Sequence, residues 1–237
     1  MKNIVLFFAA LFLCFSSFAQ KSAPGCYCPT KGLKGMPSPY KPNTKATRIF
    51  DLGNARSIAL CGYEEKKLIK GKILYSGFVL SVCGSDRPID FWGETKYCDI
   101  KQNKDTLYVE TLTELPATPT GKETLTAWTI ERFYFAGDKL KRTLTVDPKL
   151  PKYSAAQIAT VFKLYATTAD DNSDKVAELA DKLFICAISG SKQAGKYLET
   201  FKTKFTRLDG ATAESYDYTF GMFKLWQKQG YKTVDIK

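Results

Sequence analysis

The sequence predicts an α+β protein: an antiparallel β domain, a sandwich or an open barrel, followed by a bundle of about four helices. Two observations carry this. From residue 47 to 147 short runs rich in β-branched and aromatic residues alternate with Gly, Asn and Asp turns, and after Asp147-Pro148-Lys149-Leu150-Pro151 the apolar period changes from two to about 3.6. With 237 residues, 44% of them hydrophobic, the chain has enough apolar material for a sizeable core.

The first residues carry an address. Lys2 precedes the apolar run Ile4 to Phe15, and Ser17-Phe18-Ala19 offers a small-residue cleavage site before Gln20. The run is too short to span a bilayer and resembles a bacterial signal peptide. Residues 1–19 are therefore assigned to a signal, 20–44 to a leader, 45–147 to the β domain and 148–237 to the helical domain. The expected location is periplasmic or extracellular, with no transmembrane segment once the signal is removed.

The leader holds Pro24, Pro29, Pro37, Pro39 and Pro42, with Gly25, Gly32, Gly35 and four lysines, a composition that reads as an extended segment lying over the folded body. Six cysteines follow the signal: Cys26, Cys28, Cys61, Cys83, Cys98 and Cys186. An even number in an exported chain favours disulfides, although six cysteines allow 15 pairings. Cys83 and Cys98 lie in neighbouring strand-like runs and form the expected pair, with Cys61 the competing partner for Cys83. At least one of Cys26 and Cys28 is expected to tie the leader to the body. Cys186 falls on an apolar helix face and is equally well a buried thiol.

The strand run 73–83 is the expected centre of the β domain, because both of its alternating faces are largely apolar. Runs 49–52 and 57–63 precede it, and 89–92, 97–101 and 106–113 follow. A hairpin is expected from 124–135 and 140–146 around Ala136-Gly137-Asp138-Lys139, with a bulge near Glu131-Arg132. In the helical part, Ser154 and Gln157 fit a capping box ahead of Ile158, Val161, Phe162 and Tyr165. Helices are expected over 174–189, 191–208 and 212–229, the last carrying Tyr216, Phe220, Phe223 and Trp226 toward the core.

Functionally, the absence of histidine is the most informative feature. It removes Ser-His-Asp and Cys-His catalysis, imidazole bases and His-ligated metals, and leaves carboxylate, Ser-Lys or Tyr chemistry. Asp170, Asn172, Asp174, Glu178 and Asp181 follow an EF-hand-like count, but Lys175 stands where the loop needs glycine, so no metal site is assigned. Ser189-Gly190-Ser191-Lys192 matches Ser-x-x-Lys without its companion motifs, and no Walker or dinucleotide fingerprint is present, so no cofactor is assigned.

The candidate binding segment is 86–94, where Asp86, Arg87, Asp90, Phe91 and Trp92, with Glu94, put carboxylates beside aromatics. The plainer alternative makes the rings packing residues and the charges turn chemistry. The net charge of +11 is uneven: residues 20–48 hold six basic and no acidic residues, 49–147 fourteen of each, and 148–237 fourteen basic against ten acidic. These patterns point to an exported non-catalytic binding or protein-interaction module. Its partner would be an unknown protein or an anionic envelope polymer, and nucleic acid is not indicated. A His-independent hydrolase using Asp86, Asp90 and Glu94, and an inhibitor or immunity-type protein, are the alternatives.

Overall fold

The computed structural model describes residues 25–33, 35–69, 72–93, 96–121, 123–171, 173–229 and 231–236. The signal assignment at 1–19, the first residues of the leader, Glu94 and Asn172 lie outside them. The structure is α+β, with the strands first and the helices after.

The described strands are β1 (Arg48–Asp51), β2 (Ser57–Ile69), β3 (Lys72–Val82), β4 (Pro88–Trp92), β5 (Cys98–Asn103), β6 (Thr106–Pro116), β7 (Glu123–Ala136), β8 (Lys139–Val146) and β9 (Tyr231–Asp235). They form one antiparallel sheet in the order β1-β2-β3-β5-β6-β7-β8-β9, with β4 also paired to β3. The sheet curls strongly. Arg56, in the β1–β2 turn, pairs with Asp138 in the β7–β8 turn and lies over the Phe135 ring, although several strands separate the two turns in the sheet order. Phe50 of β1 and Leu140 of β8 consequently share one core with Tyr75, Phe78, Leu80, Trp92 and Phe133. Of the two arrangements left open by the sequence, one sheet curled around its own inner face is the open-barrel one.

Two glycines let the central hairpin bend. The β2–β3 register shifts between Cys61 and Tyr63, where Gly62 meets Gly77, and both have positive φ. A Cβ on Gly62 would stand 2.6 Å from that of Phe78. The shift switches the inward face of β3 from Tyr75 to Phe78 and Leu80, so the parity read from the sequence does not run through the whole strand.

The expected bulge at Glu131-Arg132 is not found. The β7–β8 register is unbroken there, and the shift lies in the β6–β7 pairing at Trp128. It turns Trp128 away from the barrel interior and onto the helices, edge-on to Phe184 with ring centroids 5.3 Å apart. Glu131 stays in the ladder because its side chain bonds Arg142 across the pair.

The helices are α1 (Ala155–Thr167), α2 (Asp174–Ile188), α3 (Lys192–Glu199), α4 (Phe201–Lys204) and α5 (Gly210–Gln227). Ser154 caps α1 in a capping box with Gln157, as its sequence spacing predicts. Central to this layer is α2, buried from Leu183 through Ile188 against α1, α3, α5 and β6. It ends in a Schellman motif: Gly190, at φ +101, donates to the Ala187 carbonyl and Ser191 to the Cys186 carbonyl. The expected third helix is interrupted at Thr200, giving α3 and the single turn α4. Leu115, Trp128 and Val146 of the sheet join the helical core, and the Tyr153 hydroxyl donates to the Pro116 carbonyl at 2.8 Å. After α5 the chain returns to the sheet, where β9 pairs with β8.

The disulfides correct the expected pairing. Cys83 bonds Cys26, and Cys28 bonds Cys61, with Cα separations of 4.6 and 5.6 Å. Cys98 and Cys186 are buried free thiols. β3 and β5 are indeed antiparallel neighbours, but Cys98 lies opposite Tyr75, whereas Cys83 lies beyond the far end of β3, roughly 25 Å along the strand. Cys61 lies opposite Val79 and is likewise too far from Cys83. The Cys-x-Cys spacing explains what happens instead. In an extended leader, residues two apart point the same way, so Cys26 and Cys28 both face the sheet while Tyr27 between them is exposed.

Candidate functional site

The segment 86–92 divides into two environments. Asp90 and Trp92 turn into the barrel. Trp92 is buried, stacked on Phe78 at 4.9 Å and edge-on to Phe133. Asp90 pairs with Arg142 at 2.6 Å, and Arg142 also bonds Glu131 and lies over the Trp92 and Phe133 rings. Burial pushes the Glu131 carboxyl up, against the hydrogen bond from Arg142. The network links β4, β7 and β8 through Arg142, and removing one partner would leave a charge there uncompensated.

Pro88 and Phe91 face outward. They share a face despite their spacing because the β3–β4 register shifts between Leu80 and Ser81, leaving Ile89 as the extra residue. Asp86 is exposed in the preceding turn. The hydrogen bond from the Lys31 ammonium, at 2.6 Å, holds its carboxyl below the usual range, and its backbone carbonyl accepts from the Lys31 amide. Arg87 is exposed, and its amide donates to the Ser85 hydroxyl. Asp86 and Asp90 thus point to different regions and each has its own cation. They do not form an acid–base pair.

Phe91 opens into a groove of about 620 Å³ between the leader and the outer face of β2, β3 and β4. Leu33, Met36 and Pro39 form the leader side, and Val79, Pro88 and Phe91 the sheet side. Met36 and Phe91 remain 49% and 38% exposed inside it. Val79 and Phe91 are direct cross-strand neighbours, so the apolar floor follows from the register. Both disulfides and the Lys31–Asp86 pair hold the leader over this floor.

A second cleft, of about 510 Å³, lies between the outer face of β6 and β7 and helices α2 and α5. Glu114 and Glu123 line it from the sheet, and Asp181, Tyr218 and Thr219 from the helices. Burial pushes the Asp181 carboxyl up to about 7, against the hydrogen bond it accepts from the Thr219 hydroxyl. Burial also raises Glu123, with Glu114 and Glu178 adding repulsion. The sequence presented Asp181 only as the end of a calcium-like count. Its companions there are dispersed: Asp170 accepts from Thr206 and Arg207, tying the α1–α2 loop to the stretch after α4. Among the described residues no His, Cys, Asp and Glu group is arranged to hold a metal ion, and no helix is long and apolar enough to cross a membrane.

The two free thiols are chemically quiet at neutral pH. Burial pushes Cys98 and Cys186 each up to about 12. Ser189 of the Ser-x-x-Lys match donates to the Ile185 carbonyl and accepts from the Tyr153 amide, as a helix-end residue does.

Comparison of the chain with protein-family models, with characterised proteins and with solved structures found no match. The functional reading therefore rests on the geometry of this molecule alone.

Proposed function

We propose that this is an exported, non-catalytic binding module whose ligand docks in the groove between the disulfide-held leader and the β2–β3–β4 face. The observation that carries the reading is an apolar floor, centred on Val79 and Phe91, left open under a covalently fixed wall. Export is supported by two disulfides, which persist in oxidising compartments. The six basic residues of 20–48, with no acid among them, favour an anionic polymer or an acidic protein as partner. An inhibitor or immunity-type role fits the same surface.

A carboxylate-dependent hydrolase is the second reading, and the cleft moves its address. Asp86 and Asp90 are ion-paired, whereas Asp181 is raised toward neutrality beside Glu123, as a general acid would need. One experiment separates the two. Pull-downs at low and high salt compare the mature protein with a version lacking residues 20–45 and carrying Cys61→Ala and Cys83→Ala, alongside a hydrolase substrate panel. Capture lost on deletion and weakened by salt supports binding through the leader groove. Turnover abolished by Asp181→Asn would replace that reading with the enzymatic one.

A further inference from the structure

We infer that the groove ligand is a small amphiphile with an apolar chain and one anionic head, of the long-chain carboxylate class. This rests on the binding reading above for the groove as the site, and puts a small anionic ligand there in place of the polymer or acidic protein. The cavity, about 620 Å³, lies within the range of small-molecule sites. Leu33 and Met36 line it from the leader, and Val79 and Phe91 from the sheet.

Hydrogen-bonding capacity decides the class of ligand. An extended peptide needs backbone partners, which a free sheet edge supplies. At Val79 the floor offers no such edge, because Val79 is paired on one side with Cys61 of β2 and on the other with Phe91 of β4; the unpaired edge among these strands is the far side of β4. On the opposite wall Pro37 and Pro39 have no N–H to donate. Hydroxyls at the groove are also engaged within the protein, Ser38 donating to the Pro29 carbonyl at 2.6 Å and Thr47 to the Gly62 carbonyl at 2.7 Å. A peptide seated here would leave its amides unmatched, at a cost of roughly 1–3 kcal/mol each. A hydrocarbon chain carries no such groups.

Charge supplies the other half. Two lysines line the groove. Lys31 is bound to Asp86, whereas no carboxylate among the described residues pairs with the exposed Lys45. One available ammonium at the rim of an apolar channel complements a ligand with one anionic end.

The test is calorimetric titration of the mature, disulfide-intact protein with dodecanoate below its micelle concentration. Dodecanol, butyrate and a short acidic peptide with apolar side chains serve as comparisons. Dodecanoate should bind one site per chain, dodecanol more weakly, and butyrate not at all. Phe91→Ser should weaken dodecanoate by about tenfold through lost apolar contact. Lys45→Gln should weaken it by about fivefold, to the level of dodecanol, and remove its salt dependence. Both residues are exposed, and an unchanged melting curve and intact mass establish that each variant is folded. Absence of dodecanoate binding to the folded protein, or binding indifferent to both substitutions, overturns the inference. If the peptide binds more tightly than dodecanoate and depends on Phe91, the groove remains the binding site but the amphiphile is wrong. If no probe binds and pull-down is indifferent to loss of the leader, the binding reading falls as well.

Discussion

One sheet is covered in two different ways. The outer face of β6 and β7 is closed by helices that bury Phe184, Phe201, Phe205, Tyr216 and Phe223 in a shared core with Leu115 and Trp128. No covalent link joins these layers among the described residues; the shared aromatic core holds them together. The outer face of β2, β3 and β4 is covered by a leader of prolines, glycines and lysines that buries little side chain. It is held by two disulfides and an ion pair. Where the cover packs, most of the sheet face is buried in a core and the cleft left beside it is lined by carboxylates and hydroxyls. Where the cover is only fastened, the groove that remains has an apolar floor.

The largest expected effect lies on the packed side. Phe184 is fully buried against Trp128, and Phe184→Ala should cost about 3–5 kcal/mol through lost transfer energy and the cavity left behind. Urea unfolding at constant slope reads this directly. A loss below 1 kcal/mol would mean that the helical layer is not packed on the sheet as described.

Asp181 makes the same interface sensitive to pH. Its folded value of about 7 lies above an unfolded value of about 3.9, so the folded state holds the proton more tightly. Stability should therefore fall as pH rises from about 4 to about 7 and level off above. The carboxylate is half-buried, which limits the change to about 1–3 kcal/mol. Asp181→Asn should flatten this part of the profile. A slope that survives the substitution assigns the effect to other groups, Glu123 first among them.

On the fastened side, Cys26→Ser with Cys28→Ser should release the leader while the barrel and helices stay folded. Proteolysis within residues 29–45 should accelerate by at least about tenfold, the melting transition moving much less. Global unfolding on loss of both links would show that the leader is part of the cooperative core. Non-reducing peptide mapping of the parent protein should return Cys26–Cys83 and Cys28–Cys61, with Cys98 and Cys186 alkylated only in denaturant.

Lys31→Gln should have the smallest effect, a modest rise in leader cleavage with no resolvable change in melting, since an exposed ion pair contributes little. A large effect would give this pair a share of the fastening comparable with that of the disulfides.

What could be read from the chain by itself was whatever depends on local periodicity. The alternating runs, the Ser154 capping box, the Gly190 stop and the spacing of Val176, Leu179, Leu183 and Phe184 each act over a few residues, and each corresponds to an observed element. Strand β9 left only a faint trace: Tyr231, Thr233 and Val234 favour strands, but the five residues show no apolar–polar alternation to mark a buried face. Pairings between distant residues were not legible. Register along β3 separated Cys83 from Cys98, and the β3–β4 register, with Phe91 opposite Val79, set Phe91 outward while Asp90 and Trp92 turned in. The first is a matter of about eight residues along β3; the second turns on a single residue of register, because side chains alternate with a period of two and a shift of one reverses every face. Asp181 had no local signature at all. Its raised affinity for a proton is imposed by Thr219, Glu123 and the surrounding apolar layer, which meet it only when α2, α5 and the sheet are packed together.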